Sequence, residues 1–143
     1  MPAVDAPIAD SDEVYRLIKV ADCKAENGKW MFQSLAFSNA TPLEDAERDD
    51  EMSVVLEDTL AALERAPEDL PTEGPFPGGP HGWGVARLSV GFVRKENSKQ
   101  EVLRSPNDEE PAHGDVRGNK PPACRKRLKK HATWVIEPQA TPE

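Results

Sequence analysis

Residues 122–136, PACRKRLKKHATWVI, are the stretch that decides the fold expected for this chain. Pro121 restricts the residue before it to extended conformations, so a helix can begin at Pro122, where proline lacks only a donor that would be unpaired anyway. One stripe of that helix contains Cys124, Leu128, His131, Ala132 and Val135. The spacing predicts a helix over residues 122–136 that packs this stripe against a sheet.

The other positions of this helix, and the residues just before it, are basic. Between residues 117 and 130 the sequence has seven Lys or Arg residues and no carboxylate. Trp134 lies near Arg127 on the helical wheel, where it could stack on a base. The candidate binding residues are Arg117, Lys120, Arg125, Lys126, Arg127, Lys129, Lys130 and Trp134. Such a surface is typical of contacts with phosphates or with an acidic protein. A helix that faces only solvent, or the acidic residues 41–73 of the same chain, explains it as well.

Charge divides the chain, which has 143 residues and a net charge of −8. Residues 1–80 have a net charge of −12 and residues 81–143 a net charge of +4. Asymmetry of this kind is typical of a basic patch on an acidic body. The low content of Leu, Val, Ile and Phe, together with 14 prolines, places the composition near that of disordered proteins. We therefore expect a small folded domain with long loops.

Three further runs have the β-branched and aromatic content of strands. They are residues 13–20, 30–37 and 85–92. The first two are expected to form a long-looped hairpin that contains the turn signal Glu26-Asn27-Gly28. The third is expected to form a hairpin with residues 101–104, and residues 113–117 a short edge strand.

Shorter signals fill the remaining segments. Asp58 can cap a helix over residues 59–65, and residues 52–56 fit either a buried strand or the start of a helix. Residues 41–51 open with a capping-box pattern but continue with acidic residues and little apolar periodicity, so a helix and an acidic loop remain alternatives. Residues 71–84 are too rich in Pro and Gly to form a regular element.

These elements together predict an α+β fold, a small antiparallel sheet with one or two helices packed on one face and long Pro- and Gly-rich loops. A chain of this length is usually one domain. We expect it to span residues 12–136, with disordered tails over residues 1–11 and 137–143.

Several classes of protein are excluded by the sequence. No apolar run approaches the roughly 18 residues of a membrane-spanning helix, and the first residues lack the basic and apolar regions of a secretory signal. Two cysteines do not make a disulfide scaffold, so a reducing compartment is the default. The His and Cys residues lack the spacing of metal ligands. We expect a cytoplasmic protein that binds no metal or other cofactor and does not contact a membrane.

Two arrangements keep a small enzyme as an alternative. His113 and Asp115 fit an acid–base pair, although a plain hydrogen bond between two residues on one strand face explains them equally well. Arg16 and Ser34, followed by Glu101, resemble the Arg, Ser and Glu arrangement of ADP-ribosyltransferase-like domains, and this resemblance implies transferase activity.

A broader resemblance covers residues 13–136. Its parts are Tyr15-Arg16, a Phe-Ser and Ser-Val strand pair, AHGDVRG at residues 112–118 and a basic helix that ends in Trp134-Val135. In this order of motifs the chain is similar to small bacterial proteins of unassigned function. The resemblance implies no activity.

The charge pattern, in the absence of a catalytic spacing, predicts a small non-catalytic interaction or adaptor protein. Its basic C-terminal helix would contact a protein partner with an acidic surface or a second copy of the chain. A nucleic-acid-binding protein that uses the same helix is the first alternative. A small enzyme, either ADP-ribosyltransferase-like or a His/Asp-based hydrolase, is the second.

Overall fold

The computed structural model describes residues 1–39 and 50–142. In this part of the chain the strands are β1 (Glu13–Lys19), β2 (Cys23–Glu26), β3 (Lys29–Phe32), β4 (Glu51–Leu56), β5 (Trp83–Ser89), β6 (Glu101–Arg104), β7 (His113–Arg117) and β8 (Thr133–Ile136). The α-helices are α1 (Glu57–Ala62), α2 (Leu70–Glu73), α3 (Gly79–Gly82), α4 (Val90–Arg94) and α5 (Pro122–His131). The predicted α+β fold class is confirmed.

Six strands form one antiparallel sheet in the order β6-β7-β4-β1-β5-β8. β1 lies inside it and pairs with β5 along its whole length, from Glu13 opposite Ser89 to Lys19 opposite Trp83. The other two strands, β2 and β3, form a separate hairpin. Its turn contains Asn27 and Gly28, whose φ angles of 53° and 74° are those that a tight hairpin turn requires. The predicted turn is confirmed.

The sheet is buried on both faces, and β1 contributes to each. Val14 and Ile18 belong to the larger core, which contains the buried side of α5 and the 3₁₀ turn Ser34–Phe37. We call this side of the sheet the α5 face. Tyr15 and Leu17 point to the other side, the far face, where α1 and α2 pack. Burial on both faces explains why residues 13–20 form a nearly continuous apolar run.

Both predicted hairpins are wrong. β3 pairs with β2 instead of β1, and the rest of the run 30–37 is the 3₁₀ turn. β5 pairs with β1 and β8, whereas β6 pairs with β7. The second hairpin does not form because helix α4 follows β5 and separates it from β6. Ser89 caps this helix, since its hydroxyl accepts the N–H of Phe92.

Other elements agree in part. Residues 52–56 belong to strand β4. The helix expected over residues 59–65 forms as α1, which begins two residues earlier and ends three residues earlier, so Asp58 lies inside its first turn and does not cap it. The strand at residues 113–117 is confirmed as β7, but it lies between β6 and β4 and not at an edge. Residues 71–84 contain the one-turn helix α3 and most of α2, contrary to the prediction of no regular element. Most of the segment 41–51 lies outside the described residues.

The helix predicted over residues 122–136 is correct only for its first part. α5 ends at His131, and Ala132 has extended backbone angles, φ −62° and ψ 145°. The chain then continues as β8, whose side chains are all β-branched or aromatic. β8 pairs with β5 and forms one edge of the sheet. The helical position of Val135 therefore has no structural meaning.

Parts of both expected tails contact the domain. Ile8 is buried in the core, and the carbonyl of Ala6 accepts a hydrogen bond from Arg104. At the other end, the N–H of Gln139 donates to the carbonyl of Pro80.

Candidate functional site

α5 is anchored by the side chains that the sequence places on its apolar stripe. Cys124 and Leu128 are fully buried. The ring of His131 lies parallel to the ring of Phe92, with 3.9 Å between their centroids. The Nε2 atom of His131 accepts the N–H of Ser89, which requires that this nitrogen carries no proton. Burial lowers the pKa of His131 in agreement with a neutral ring. These contacts fix which side of α5 faces outward.

The outward side of α5 exposes positive charge. Lys126 and Lys130 are exposed, and Lys129 is half-buried. Among residues 1–39 and 50–142, no carboxylate forms an ion pair with any of these three ammonium groups. Arg125 is half-buried and interacts with other groups of the protein, so it is not counted among the free cations of this side.

Lys120 is a correction to the predicted surface, because it is a core residue with 5% exposure. Its ammonium group donates to the side-chain oxygen of Asn39 and to the carbonyls of Val116 and Gly118. Burial lowers the pKa of Lys120 to about 8. Lys120 holds the β7–α5 connection against the core and is not available to a partner.

Arg117 and Trp134 also lie away from the outward side of α5. Arg117 is on β7, where its guanidinium donates to Glu51 on the adjacent strand at 2.9 Å. Trp134 is on β8, where its indole N–H donates to the carbonyl of Trp30. Its ring centroid is 4.2 Å from that of Phe32. The ring of Trp134 therefore packs against Phe32 within the protein and does not lie beside Arg127 on α5.

Arg127 joins α5 to the connection that follows α4. The Glu96 side chain is 3% exposed, and its Oε1 atom accepts the Nε and Nη2 hydrogens of Arg127. This guanidinium holds the pKa of Glu96 below its usual range. The bond places residues 95–99 beside α5, and Lys95 and Lys99 in this segment are exposed. We call the following residues the basic surface: Lys95, Lys99, Lys126, Lys129 and Lys130.

Sequence reasoning missed Lys95 and Lys99. The available signal is the run of residues 94–99, RKENSK, in which three of six side chains are basic and only Glu96 is acidic. That run becomes part of the surface only because Glu96 is buried against Arg127.

His113 and Asp115 do not form the pair considered for catalysis. The Nδ1 atom of His113 lies 2.8 Å from the Ser105 hydroxyl oxygen and 3.0 Å from the Ser105 carbonyl oxygen. The carbonyl can only accept a hydrogen bond, whereas the hydroxyl can donate or accept, so both tautomers of the ring fit these two contacts. The ring is held by Ser105, and among the described residues it forms no hydrogen bond with Asp115.

The residues of the transferase-like arrangement do not converge. Arg16 is 3% exposed and donates to the carbonyls of Ala36 and Ser53 on the α5 face. Ser34 lies in the 3₁₀ turn of that face. Glu101 is exposed on β6, three strands away from β1, a separation of about 14 Å at roughly 4.8 Å per strand.

The thiols and possible metal ligands offer no chemistry in the described part of the chain. Cys23 and Cys124 are both free and buried. Burial raises the pKa of Cys23 to about 12 and also raises that of Cys124, so both remain thiols at neutral pH. No three His, Cys, Asp or Glu side chains among the described residues come together as a metal site.

A cavity of about 280 Å³ opens on the far face of the sheet. Tyr15 and Leu17 of β1 and Val55 of β4 form part of its lining, with Phe76 from the segment after α2 and His113 from β7. The sequence analysis did not anticipate this cavity, because its walls come from segments that are distant along the chain.

Comparison with known proteins gives no assignment. No protein-family model matches the chain, and neither a curated protein nor a solved structure matches it. None of the helices among the described residues is long and apolar enough to cross a membrane. Two features of the geometry bear on function, the basic surface beside α5 and the cavity on the far face.

Proposed function

We propose that this protein is a non-catalytic binding protein whose basic surface contacts an acidic surface of a protein partner. The observation that carries the proposal is that Lys126 and Lys130 are exposed, and Lys129 is partly exposed, on a helix whose other side is packed in the core. No described carboxylate pairs with them, although the chain has a net charge of −8. Clustered charge of this kind accelerates association with an oppositely charged surface and disfavours other partners.

A protein partner is favoured over nucleic acid by the number and placement of the cations. Binding to nucleic acid gains affinity with each phosphate that is neutralised. Lys120 is buried, and Arg117 and Arg127 are held by carboxylates of the same chain, so three predicted phosphate contacts are already engaged. Single-stranded nucleic acids also need aromatic stacking, and the ring of Trp134 packs on Phe32.

The proposal is tested with a fluorescent polyglutamate peptide as the acidic probe. A single-stranded oligonucleotide of equal length is the second probe, and its affinity is compared with that of the peptide. Anisotropy should report binding of the peptide that weakens as salt is added. The double variant K126E/K130E should weaken this binding by at least about tenfold, which corresponds to about 1.4 kcal/mol.

The matched control is K24E/K29E, which makes the same change of charge at two exposed lysines of the β2–β3 hairpin. Its affinity for the peptide should stay close to that of the wild type. Equal losses in both double variants would mean that only net charge matters and would contradict a defined surface. Tighter binding of the oligonucleotide, with a steep salt dependence, would replace the proposal by the nucleic-acid alternative. Sedimentation of the wild type alone should show a monomer, because a self-associated chain would already occupy the surface.

A further inference from the structure

The cavity on the far face has an apolar part and a polar part. Leu17, Val55, Leu70 and Phe76 provide the apolar lining. Binding sites for small molecules are mostly apolar with a few polar groups that orient the ligand, and they usually measure about 300–1,000 Å³. A volume of about 280 Å³ therefore restricts the occupant to a small molecule.

Two polar groups of the lining are already engaged by the protein. The Tyr15 hydroxyl donates to the carboxylate of Glu57 at 3.2 Å. The two carboxylate oxygens of Glu110 accept two N–H groups of Arg65 at 2.6 and 2.7 Å. These residues shape the cavity but have little hydrogen-bonding capacity left for a ligand.

Ser53 has capacity that the protein does not use. It is 5% exposed and lines the cavity, and its Oγ atom has no hydrogen-bond partner. Asp115 lies directly opposite Ser53 on β7, next to the lining residues but not one of them, and it is 6% exposed with a buried Oδ1 atom that also lacks a partner. Side chains of residues paired in this way are about 4.5–5.5 Å apart at Cβ. A single donor group placed between them would satisfy both oxygens.

A third polar group of the cavity is the ring of His113. Its Nδ1 atom is held at Ser105, which leaves Nε2 as the ring nitrogen without a partner among the described residues. Glu109 also lines the cavity with a carboxylate, whereas the charge of Glu110 is paired with Arg65. No Lys or Arg is among the described lining residues, so the unpartnered oxygens of Ser53 and Asp115 are acceptors and Glu109 adds a negative charge.

We propose that this cavity binds a small organic cation, an apolar or aromatic body that carries a primary ammonium group. The body occupies the pocket formed by Leu17, Val55 and Phe76. The ammonium group donates to Ser53 Oγ and Asp115 Oδ1, the buried oxygens that have no donor within the protein. The site is independent of the basic surface, because it lies on the opposite face of the sheet.

The test uses 2-phenylethylammonium as the probe and 3-phenylpropanoate as an anion of similar shape, both followed by amide chemical shifts at neutral pH. The ammonium probe should bind saturably and shift the amide signals of Val54 and Val55 beside the cavity. It should bind at least about tenfold more tightly than the carboxylate, because the cavity offers acceptors and no cation.

Two variants locate the ammonium group, Ser53→Ala and Asp115→Asn. Each should weaken binding of the probe by about fivefold to tenfold, since Ser53→Ala removes an acceptor and Asp115→Asn removes the negative charge and replaces one acceptor oxygen with a donor NH2 group. Glu101→Gln is the matched control, an exposed carboxylate that lies on β6 outside the lining, and it should leave the affinity unchanged. K126E/K130E should also leave it unchanged, which separates this site from the proposed partner surface.

Several results would overturn the proposal. These are the absence of shifts at millimolar probe, equal affinity for the anion, or unchanged affinity in both cavity variants. Any of them would mean that ordered water alone satisfies Ser53 and Asp115. If a cavity variant does not fold, the comparison of cation and anion on the wild type still decides.

Discussion

Replacing Glu96 by Gln should lower the stability of the fold and strengthen binding to an acidic partner. Glu96 has a side chain with 3% exposure and accepts two N–H groups of Arg127, one of them at 2.8 Å. A hydrogen bond with a charged partner contributes about 1.5–3 kcal/mol and a neutral one about 0.5–1.5 kcal/mol. The loss of one charge should therefore destabilise the fold by about 1–2 kcal/mol. Because Arg127 is 41% exposed, solvent screening favours the lower end of this range.

The assay is thermal unfolding followed by circular dichroism at pH 7. A loss of this size corresponds to a melting temperature about 3–6 °C lower. Since Arg127 holds the pKa of Glu96 below its usual value of 4.5, the stabilisation is present above pH 4.5 and is lost as the pH falls through the lowered pKa. The difference between wild type and Glu96→Gln should disappear in the same range. Glu101→Gln, an exposed substitution, should not change the melting temperature.

The same variant tests the basic surface in the opposite direction. Without the Glu96 carboxylate the positive charge of Arg127 is no longer neutralised, so the affinity for the polyglutamate probe should rise while stability falls. The reasoning would be refuted by an unchanged melting temperature, or by a stability difference that persists in acid. Weaker probe binding would show that the position of residues 95–99, and not the charge, governs the contact.

Three further predictions concern the packing that positions both features. Leu128→Ala should destabilise the fold by about 2–5 kcal/mol in urea unfolding, because the Leu128 side chain is fully buried in the core. A loss below about 1 kcal/mol would mean that α5 is not packed. Gly114→Ala should lower the free energy of unfolding by about 1–3 kcal/mol, because a Cβ atom there would lie 2.7 Å from the Leu56 side chain and 2.8 Å from the Leu103 carbonyl oxygen. An unchanged midpoint of urea unfolding would contradict this close approach. Burial raises the pKa of the Cys23 thiol from 9.0 to about 12, so the contribution of the buried thiol to stability is present below pH 9 and is lost as the pH rises towards 12. The free energy of unfolding of the wild type should therefore fall more than that of Cys23→Ala over this range. Parallel pH profiles of the two proteins would contradict the burial of the thiol.

Local sequence signals predict the elements of this fold better than their partners. Residues 13–20 are rich in β-branched and aromatic side chains and contain strand β1, and Pro122 begins α5 as the sequence indicates. The pairing is not local, because β1 contacts β4 and β5, which are separated from it by long stretches of chain. The polar turn after residue 94 is typical of a hairpin. The Ser89 cap is the signal that distinguishes helix α4 from a continuation of strand β5.

The candidate surface was predictable in sign but not in composition. A run of Lys and Arg without carboxylates predicts a basic helix, and Lys126 and Lys130 of α5 are exposed. The burial of Lys120 depends on Asn39 and on backbone carbonyls, which are acceptors that no sequence motif marks. Likewise, the unpartnered oxygens of Ser53 and Asp115 become neighbours only through the register of β4 with β7.

The most direct test of the account is a map of amide chemical-shift changes as the polyglutamate probe is titrated into the wild-type protein. We predict shifts that are confined to residues 95–99 and to the outward side of α5 around Lys126 and Lys130, and that vanish when salt is added. Shifts at the β2–β3 hairpin or the far face, with none along α5, would contradict the claim that the basic surface is where this protein binds its partner.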